Sequence, residues 1–342
     1  MYLKTARIAH AAFAALLCLL MVMSCSRQKE TSAASGERVI RIGIAKIVQH
    51  EALDAVEKGI QDTLAERGYN VTIDFQNANG DMNTATQIAN KFKNDKVDVA
   101  VGIATPVAVA MANVITDIPV VFSTVTDPVG ARLVTSLDRG EGNVTGLSDA
   151  IPTVEHIGFF KEIANIKTLG YIYNSSEANS ISAMELVEEG CRRHGITLVS
   201  QAINTSADLR SAALSIINRV DGFYLTTDNT VFSALPALIQ ICRDARKPIF
   251  SGDVTGALNG GCMIASGFNY YKAGLATGQI IADILEGKKT VDIPVKFLTD
   301  PADSDLLFDL DAAAVCGISI PETYLNQANY IFRNGALTQR DF

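Results

Sequence analysis

The sequence contains no tryptophan, the residue whose broad face sugars commonly stack on, which weakens a carbohydrate-binding reading. Histidine is scarce. Of the four, His10, His50, His156 and His194, none stands in a metal-ligand or nucleophile–base spacing, so no imidazole-based catalytic set is visible. His50 follows the first apolar strand and can face a cleft, while His194 closes a helix, where a cation favours the carbonyl end. Cys191, Cys242, Cys262 and Cys316 are spaced too widely for a zinc site or a thioredoxin-type pair. An exported chain can oxidise such cysteines, yet a fold of this size needs no cross-link, and four buried thiols are the simpler expectation. Positive charge is also in deficit, with 29 Lys and Arg against 37 Asp and Glu. That balance, with no basic run interleaved with aromatics, argues against nucleic acid. No dinucleotide fingerprint follows the first strand. Gly287-Lys288-Lys289-Thr290 lacks the upstream glycine of a phosphate loop and ends a helix instead of opening one. Neither cofactor nor metal is implied.

What is present begins with an export signal. Lys4 and Arg7 precede an apolar stretch, Ile8–Met23, that breaks at Ser24-Cys25. The stretch is short for a spanning helix and suits a secretory leader. Residues 1–24 resemble a bacterial lipoprotein signal peptide, which implies that Cys25 becomes the lipid-bearing first residue; an uncleaved membrane anchor is the alternative. Residues 25–37 are polar and rich in serine, alanine and charge, a composition that buries no core and reads as a tether. Loss of two cations with the leader takes the formal charge from −8 to −10. On either reading the folded part is expected on the outer side of the cytoplasmic membrane, periplasmic or at the cell surface.

The body of the chain repeats itself. Arg38–Thr105 and Thr168–Thr227 each open on an apolar strand with an internal glycine, Gly43 and Gly170, and reach a second glycine 25 residues on, Gly68 and Gly195. Each then passes a strand, a polar turn and a helix to a Val-Asp pair, Val97-Asp98 and Val220-Asp221, and starts a fourth strand after a proline, Pro119 and Pro248. Strands are expected near Val39–Lys46, Val71–Phe75, Val97–Ile103 and Pro119–Ser123, then near Thr168–Tyr173, Thr197–Gln201, Gly222–Leu225 and Ile249–Ser251. Helices are expected near Glu51–Arg67, Asn83–Asn94 and Pro106–Val114, then near Ala178–His194, Ala207–Asn218 and Thr230–Ala245. The strands are near-continuous Val, Ile, Leu and Phe, as when helices cover both sheet faces. This alternation predicts an α/β protein of two doubly wound parallel-sheet lobes joined by a multi-strand hinge. The first lobe takes 38–150 and about 268–295; the second takes 151–267 and about 296–342. A cleft between lobes is a natural place for a small ligand.

Strand ends in such a fold carry hydroxyls, amides and acids rather than catalytic sets. Thr105-Pro106 reads as an N-cap followed by proline at the first helical position, leaving free N–H groups for a carboxylate; plain helix capping explains the same pair. Thr227, Asp228 and their neighbours repeat the theme in the second lobe. Ser123 and Thr124 lead to Asp127, whose place before Pro128 also suits a turn. Asp253 ranks first and Asp228 second as a partner for an ammonium group. Tyr173-Asn174 through Asn179-Ser180 forms a polar loop that either closes over a ligand or caps the next helix. Phe122, Tyr224, Phe250, Phe268 and Tyr270, with Tyr173, lie at or beside strand ends and can supply ring contacts, though a core role explains most of them.

Several runs resemble one family: Gln49-His50-Glu51-Ala52-Leu53-Asp54, Ala104-Thr105-Pro106-Val107-Ala108, Val121 through Val129, Gly142-Asn143-Val144-Thr145-Gly146 and Gly317-Ile318-Ser319-Ile320-Pro321. They are similar to the tryptophan/tyrosine-type ABC transporter substrate-binding proteins, over about Arg38 to Phe332. The resemblance implies a type I periplasmic-binding-protein-like fold, an aromatic amino acid as solute, and an ABC permease and its ATPase as separate chains. It places Thr105, Asn174 and Asp253 in the cleft. An amino acid also suits the residues themselves, requiring a carboxylate site, an ammonium partner and apolar walls. The expectation is therefore a non-enzymatic, membrane-tethered solute receptor. Alternatives are a receptor for another small solute such as a nucleoside, and an adhesin or signalling lipoprotein on the same fold.

Overall fold

The computed structural model describes residues 38–298 and 303–340, with Ile40 onward forming one compact unit. The leader, Cys25 and the tether lie outside the described residues. In the first half, β1 (Ile40–Lys46), α1 (Glu51–Glu66), β2 (Val71–Asn77), α2 (Met82–Asp95), β3 (Val99–Ile103), α3 (Thr105–Val114), β4 (Val120–Ser123) and β5 (Val144–Ser148) follow in turn. The chain then enters the second lobe through α4 (Thr153–Ala164), β6 (Thr168–Asn174), α5 (Ala178–His194), β7 (Thr197–Ile203), α6 (Leu209–Ile216) and β8 (Gly222–Leu225). There α7 (Asn229–Ser233), α8 (Leu235–Asp244), β9 (Ile249–Ser251) and β10 (Ile264–Phe268) complete the second sheet's parallel part. It crosses back for α9 (Tyr270–Leu285) and β11 (Lys296–Phe297). It ends in the second lobe with β12 (Ser304–Asp309), α10 (Leu310–Cys316), α11 (Glu322–Leu325), β13 (Tyr330–Arg333) and β14 (Ala336–Gln339).

The two sheets share one strand order. The first runs β2-β1-β3-β4-β5-β11 and is parallel throughout; the second runs β7-β6-β8-β9-β10-β12-β13-β14. Each order reverses at its first strand, between β1 and β3 and between β6 and β8. In open α/β sheets that reversal parts the loops and leaves a crevice at the strands' carboxyl ends. The central strands β3, β4 and β5 are buried along their whole length, as helices on both faces require. The first core spans both faces of its sheet and includes Tyr270, Ala273, Ile280 and Ile281 of α9, although α9 follows a strand of the second lobe.

The sheets are not parallel everywhere. β12 runs antiparallel to β10, with Ile264 opposite Phe308, and β13 is antiparallel to β14. The reason is topological: β10 ends at the cleft and leaves for the first lobe, so the returning chain enters from the cleft and must run away from it. Lys296 and Phe297 pair with Leu147 and Ser148 of the first sheet, so the return comes after Phe297 and not at about 295. The single helix expected over Thr230–Ala245 is two, because Pro236 has no N–H to give and its ring crowds the preceding turn. Helix α2 starts one residue before the expected Asn83, and Asp81 caps it, accepting the Thr84 N–H at 2.6 Å.

Helices α1 and α9 lie unusually close. A Cβ added at Gly59 would stand 2.3 Å from the Tyr271 carbonyl oxygen, and one at Gly274 2.3 Å from that of Val56. Two glycines facing each other thus let the backbones touch. Thr63 Oγ1 donates to the Leu275 carbonyl at 3.2 Å one turn on. The pairing runs in one direction, so the starts of both helices, His50-Glu51 and Asn269-Tyr270, reach the cleft together.

Candidate ligand-binding cleft

One cavity collects residues from both lobes, all from carboxyl ends of strands or the turns and first helical turns after them. The first lobe supplies His50 and Leu53 after β1, Thr105 after β3, Thr124 and Thr126 after β4, and Asp149 after β5. Asn179 after β6, Thr227, Asp228, Asn229 and Phe232 after β8, and Asp253 after β9 come from the second; Tyr270, after β10, heads α9.

Thr105 begins α3 instead of capping it. The cap position is Ala104, buried and held at φ 73°, ψ 154°, a left-handed conformation that costs a residue with a Cβ of order 1–3 kcal/mol. Thr124 at the end of β4 is also left-handed, with φ 52°. The twist at Ala104 frees the Thr105 hydroxyl from capping. Thr105 Oγ1 is buried and has no hydrogen-bond partner, and the first N–H groups of α3 lie beside it, at the positive end of the helix dipole.

Among the described residues, three buried side-chain polar atoms lack a partner: His50 Nε2, Thr105 Oγ1 and Asn179 Oδ1. All three belong to residues lining this cavity. Buried polar atoms are almost always satisfied, so orphans gathered on one cavity indicate a molecule that satisfies them.

Two acids complete the polar wall. Asp149 and Asp253 are 3% and 2% exposed. Asp149 accepts from Thr126 Oγ1 and from the Tyr270 hydroxyl, each at 3.0 Å. Asp253 accepts the Thr255 N–H at 2.7 Å. Burial pushes Asp149 up to about 6 and Asp253 up to about 7, and the charges acting on Asp253 are two more carboxylates, Asp149 and Glu51. Such a pair attracts a cation. Asp228 differs. Its oxygens accept from Asn174 N–H at 2.6 Å, Ser180 Oγ at 2.7 Å and Val231 N–H at 3.0 Å, so it caps α7 and ties β6 to β8. Burial and neighbouring Glu177 raise its pKa. Glu177 itself accepts from Asn174, Asn179, Asn229 and Thr230, which fixes the polar loop after β6.

The apolar wall is Leu53, Phe232 and the rings of His50 and Tyr270. His50 and Phe232 come from opposite lobes with ring centroids 6.0 Å apart. Burial lowers the His50 pKa to about 4 and leaves the imidazole neutral at physiological pH.

Of the residues expected from sequence, Thr105, Thr124, Asn179, Thr227, Asp228 and Asp253 line this cavity. Pro106 and Asn174 line a neighbouring one. Asp127 lies in a third, accepting Gly130 N–H at 2.8 Å and Ser182 Oγ at 3.1 Å. Ser123 is buried against α9, its hydroxyl 2.7 Å from that of Thr277. Tyr173 stacks on Tyr171 at 5.6 Å against the second core. Phe122, Tyr224, Phe250 and Phe268 are core. Leu53, Thr126, Asp149, Asn229 and Phe232 were not foreseen; for Asp149 the signal is an acid directly after the apolar run that forms β5. Cys191, Cys242 and Cys262 are buried and Cys316 is half-buried, all as free thiols. Among the described residues no His, Cys, Asp and Glu group is arranged to hold a metal ion, and no helix is long and apolar enough to cross a membrane.

Direct bonds join the lobes around the cavity. Thr126 Oγ1, whose proton goes to Asp149, accepts from Thr227 Oγ1 at 3.0 Å. Ser182 reaches Asp127, and Asn259 Nδ2 donates to Glu51 Oε1 at 2.6 Å.

Two lobes with one strand order, closed by such bonds over a cavity of unpartnered polar atoms, define a two-lobed solute-binding protein. Residues 41–331 match the family described as ABC transporter substrate binding protein, and the chain belongs to that family. A relative named tyrosine-binding protein, from Clostridioides difficile (strain R20291), is 34% identical over 87% of this chain and 89% of its own. A crystal structure of an ABC domain from Streptococcus pneumonia in complex with L-Trp shares 32% identity, covering 86% of this chain and 100% of that one, at a TM-score of 0.81. A substrate-binding protein with adhesive properties from Clostridium difficile, in its ligand-free open structure, shares 35% identity, covering 83% and 96%, at a TM-score of 0.62. The two are similarly distant in sequence, yet the structure matches the L-Trp complex better than the open form, which agrees with the bonds that join its lobes.

Proposed function

We propose that this substrate-binding protein is the extracytoplasmic receptor of an ABC importer and that its solute is an aromatic L-amino acid, tyrosine, tryptophan or phenylalanine. The observation that carries the reading is the convergence of all three orphaned polar atoms and two buried acids on one cavity. The carboxylate takes the free N–H groups at the start of α3 and the Thr105 hydroxyl. The ammonium group takes Asp253 and Asp149. Leu53, Phe232 and Tyr270 hold the ring. Burying two acids together opposes closure, and an incoming ammonium group offsets that cost, so capture and closure are coupled. The named ligands of the Clostridioides and Streptococcus relatives support the choice of solute.

The importer's permease and ATPase are separate chains, and a lipid on Cys25 holds the receptor at the outer side of the membrane. No catalytic role is proposed. Adhesion is the second reading, favoured by the adhesive properties of the Clostridium difficile relative, and it concerns the outer surface instead of the cleft. The test is calorimetric titration of the chain from Ser26, stripped of copurified ligand, with all common amino acids and a few nucleosides. Saturable binding confined to tyrosine, tryptophan or phenylalanine is expected. Silence across the amino acids contradicts the reading.

A further inference from the structure

The proposed solute class contains two kinds of ring. Tyrosine and tryptophan carry a hydrogen-bond donor on the ring, and phenylalanine carries none. Resting on the aromatic-amino-acid reading, we infer that His50 is the specificity-determining residue of the cavity, its Nε2 accepting a hydrogen bond from the ring-borne O–H or N–H of tyrosine or tryptophan.

Four observations lead there. His50 Nε2 is buried, has no partner and belongs to the cavity wall. It sits at the apolar end: Leu53 is one helical turn on along α1, and Phe232 of the opposite lobe lies 6.0 Å away ring to ring. A ligand ring against Leu53 and Phe232 therefore brings its polar edge to the imidazole, while Asp149, Asp253 and Thr105 hold the charged groups. Asn229, whose Nδ2 donates to Glu177 Oε2 at 2.6 Å, shares the cavity wall with the imidazole. In the tautomer with its proton on Nδ1, Nε2 carries a lone pair and accepts. The ring also stays neutral across the physiological range, since burial lowers its pKa to about 4, so the acceptor persists. Lys46 and Asp54 are the charges that act on it, and Lys46 is itself bonded to Asp54 at 2.5 Å and Glu57 at 2.6 Å.

Energetically the phenylalanine complex leaves that acceptor buried and unpaired, whereas tyrosine satisfies it. A site that offers a buried partner rejects the analogue lacking the group more strongly than any pocket rejects a small change of size.

The experiment is a ligand-by-variant cycle on the purified protein, with tyrosine, tryptophan and phenylalanine titrated against wild type and His50→Phe. Wild type is expected to bind tyrosine about tenfold or more tighter than phenylalanine, and His50→Phe to bring that ratio to about one. As a readout independent of the variant, ¹⁵N spectra of histidine-labelled wild type are expected to shift the His50 Nε2 resonance with tyrosine and not with phenylalanine. Equal binding of tyrosine and phenylalanine by wild type overturns the inference and leaves the solute class standing. So does a ratio that His50→Phe leaves untouched, or an Nε2 resonance that moves alike with both ligands. Failure of all three amino acids to bind overturns the solute class and the inference with it.

Discussion

Asp253→Asn should do two opposite things, and their opposition makes it informative. Asp253 is 2% exposed, its pKa stands at about 7 against 3.8 for an ordinary aspartate, and burial is the main cause. Such a group binds its proton more tightly folded than unfolded. Stability from this linkage is therefore fullest below pH 3.8 and is lost as pH rises through about 7. The difference amounts to up to about 4 kcal/mol at pH 8. Asparagine keeps the shape and removes the charge, so the ligand-free variant should melt higher than wild type at pH 8, with the gap closing towards pH 4. Binding should move the other way. Losing one charge-assisted bond to an ammonium costs about 1.5–3 kcal/mol, or roughly 10- to 150-fold in affinity. Calorimetric melting between pH 4 and 8, paired with titration of tyrosine, reads both effects. A variant that melts lower than wild type at pH 8 and binds tyrosine unchanged would refute the assignment of Asp253 as the ammonium partner.

Two further substitutions separate structural from ligand-facing roles. Asp228→Ala strands three donors, Asn174 N–H, Ser180 Oγ–H and Val231 N–H, and should cost about 2–4 kcal/mol of stability in a urea titration; an unchanged urea midpoint with lost tyrosine affinity would show that Asp228 serves the ligand instead. Gly59→Ala places a methyl 2.3 Å from the Tyr271 carbonyl and should cost about 1–3 kcal/mol through forced separation of α1 and α9. Because those helices carry His50 and Tyr270 to the cavity, tyrosine binding should weaken as well, and a variant with wild-type melting and binding would show the helices free to part.

The parts of this molecule legible in sequence are those set by local pattern. The repeated strand–helix order and continuous apolar strands give two sheets of one topology, and a residue just past a strand's carboxyl end is a cleft residue by geometry, as for Thr105, Thr227 and Asp253. What sequence does not carry is where hydrogen bonds go once the chain is packed. Asp228 and Asp253 look alike in sequence, yet the first takes its donors from β6, α5 and α7, tying elements together, and the second only from the turn that follows it, beside Asp149 and Glu51. His50 and Phe232 meet only because the lobes close, and neither neighbour is visible from the other's sequence context. Ala104 takes a left-handed turn that alanine does not advertise, so Thr105 reads as a cap when its hydroxyl is free. The antiparallel β12 follows from the direction in which the chain returns to the second lobe, which no local propensity encodes.

A crystal structure of the protein grown with L-tyrosine shows directly which groups of the cleft hold the solute. The expected density lies between the lobes, with the ammonium group against Asp253 and Asp149, the carboxylate at the start of α3 beside Thr105, and the ring against Leu53 and Phe232. Tyrosine bound outside this cavity, or bound within it with its carboxylate facing the two acids, would contradict the account.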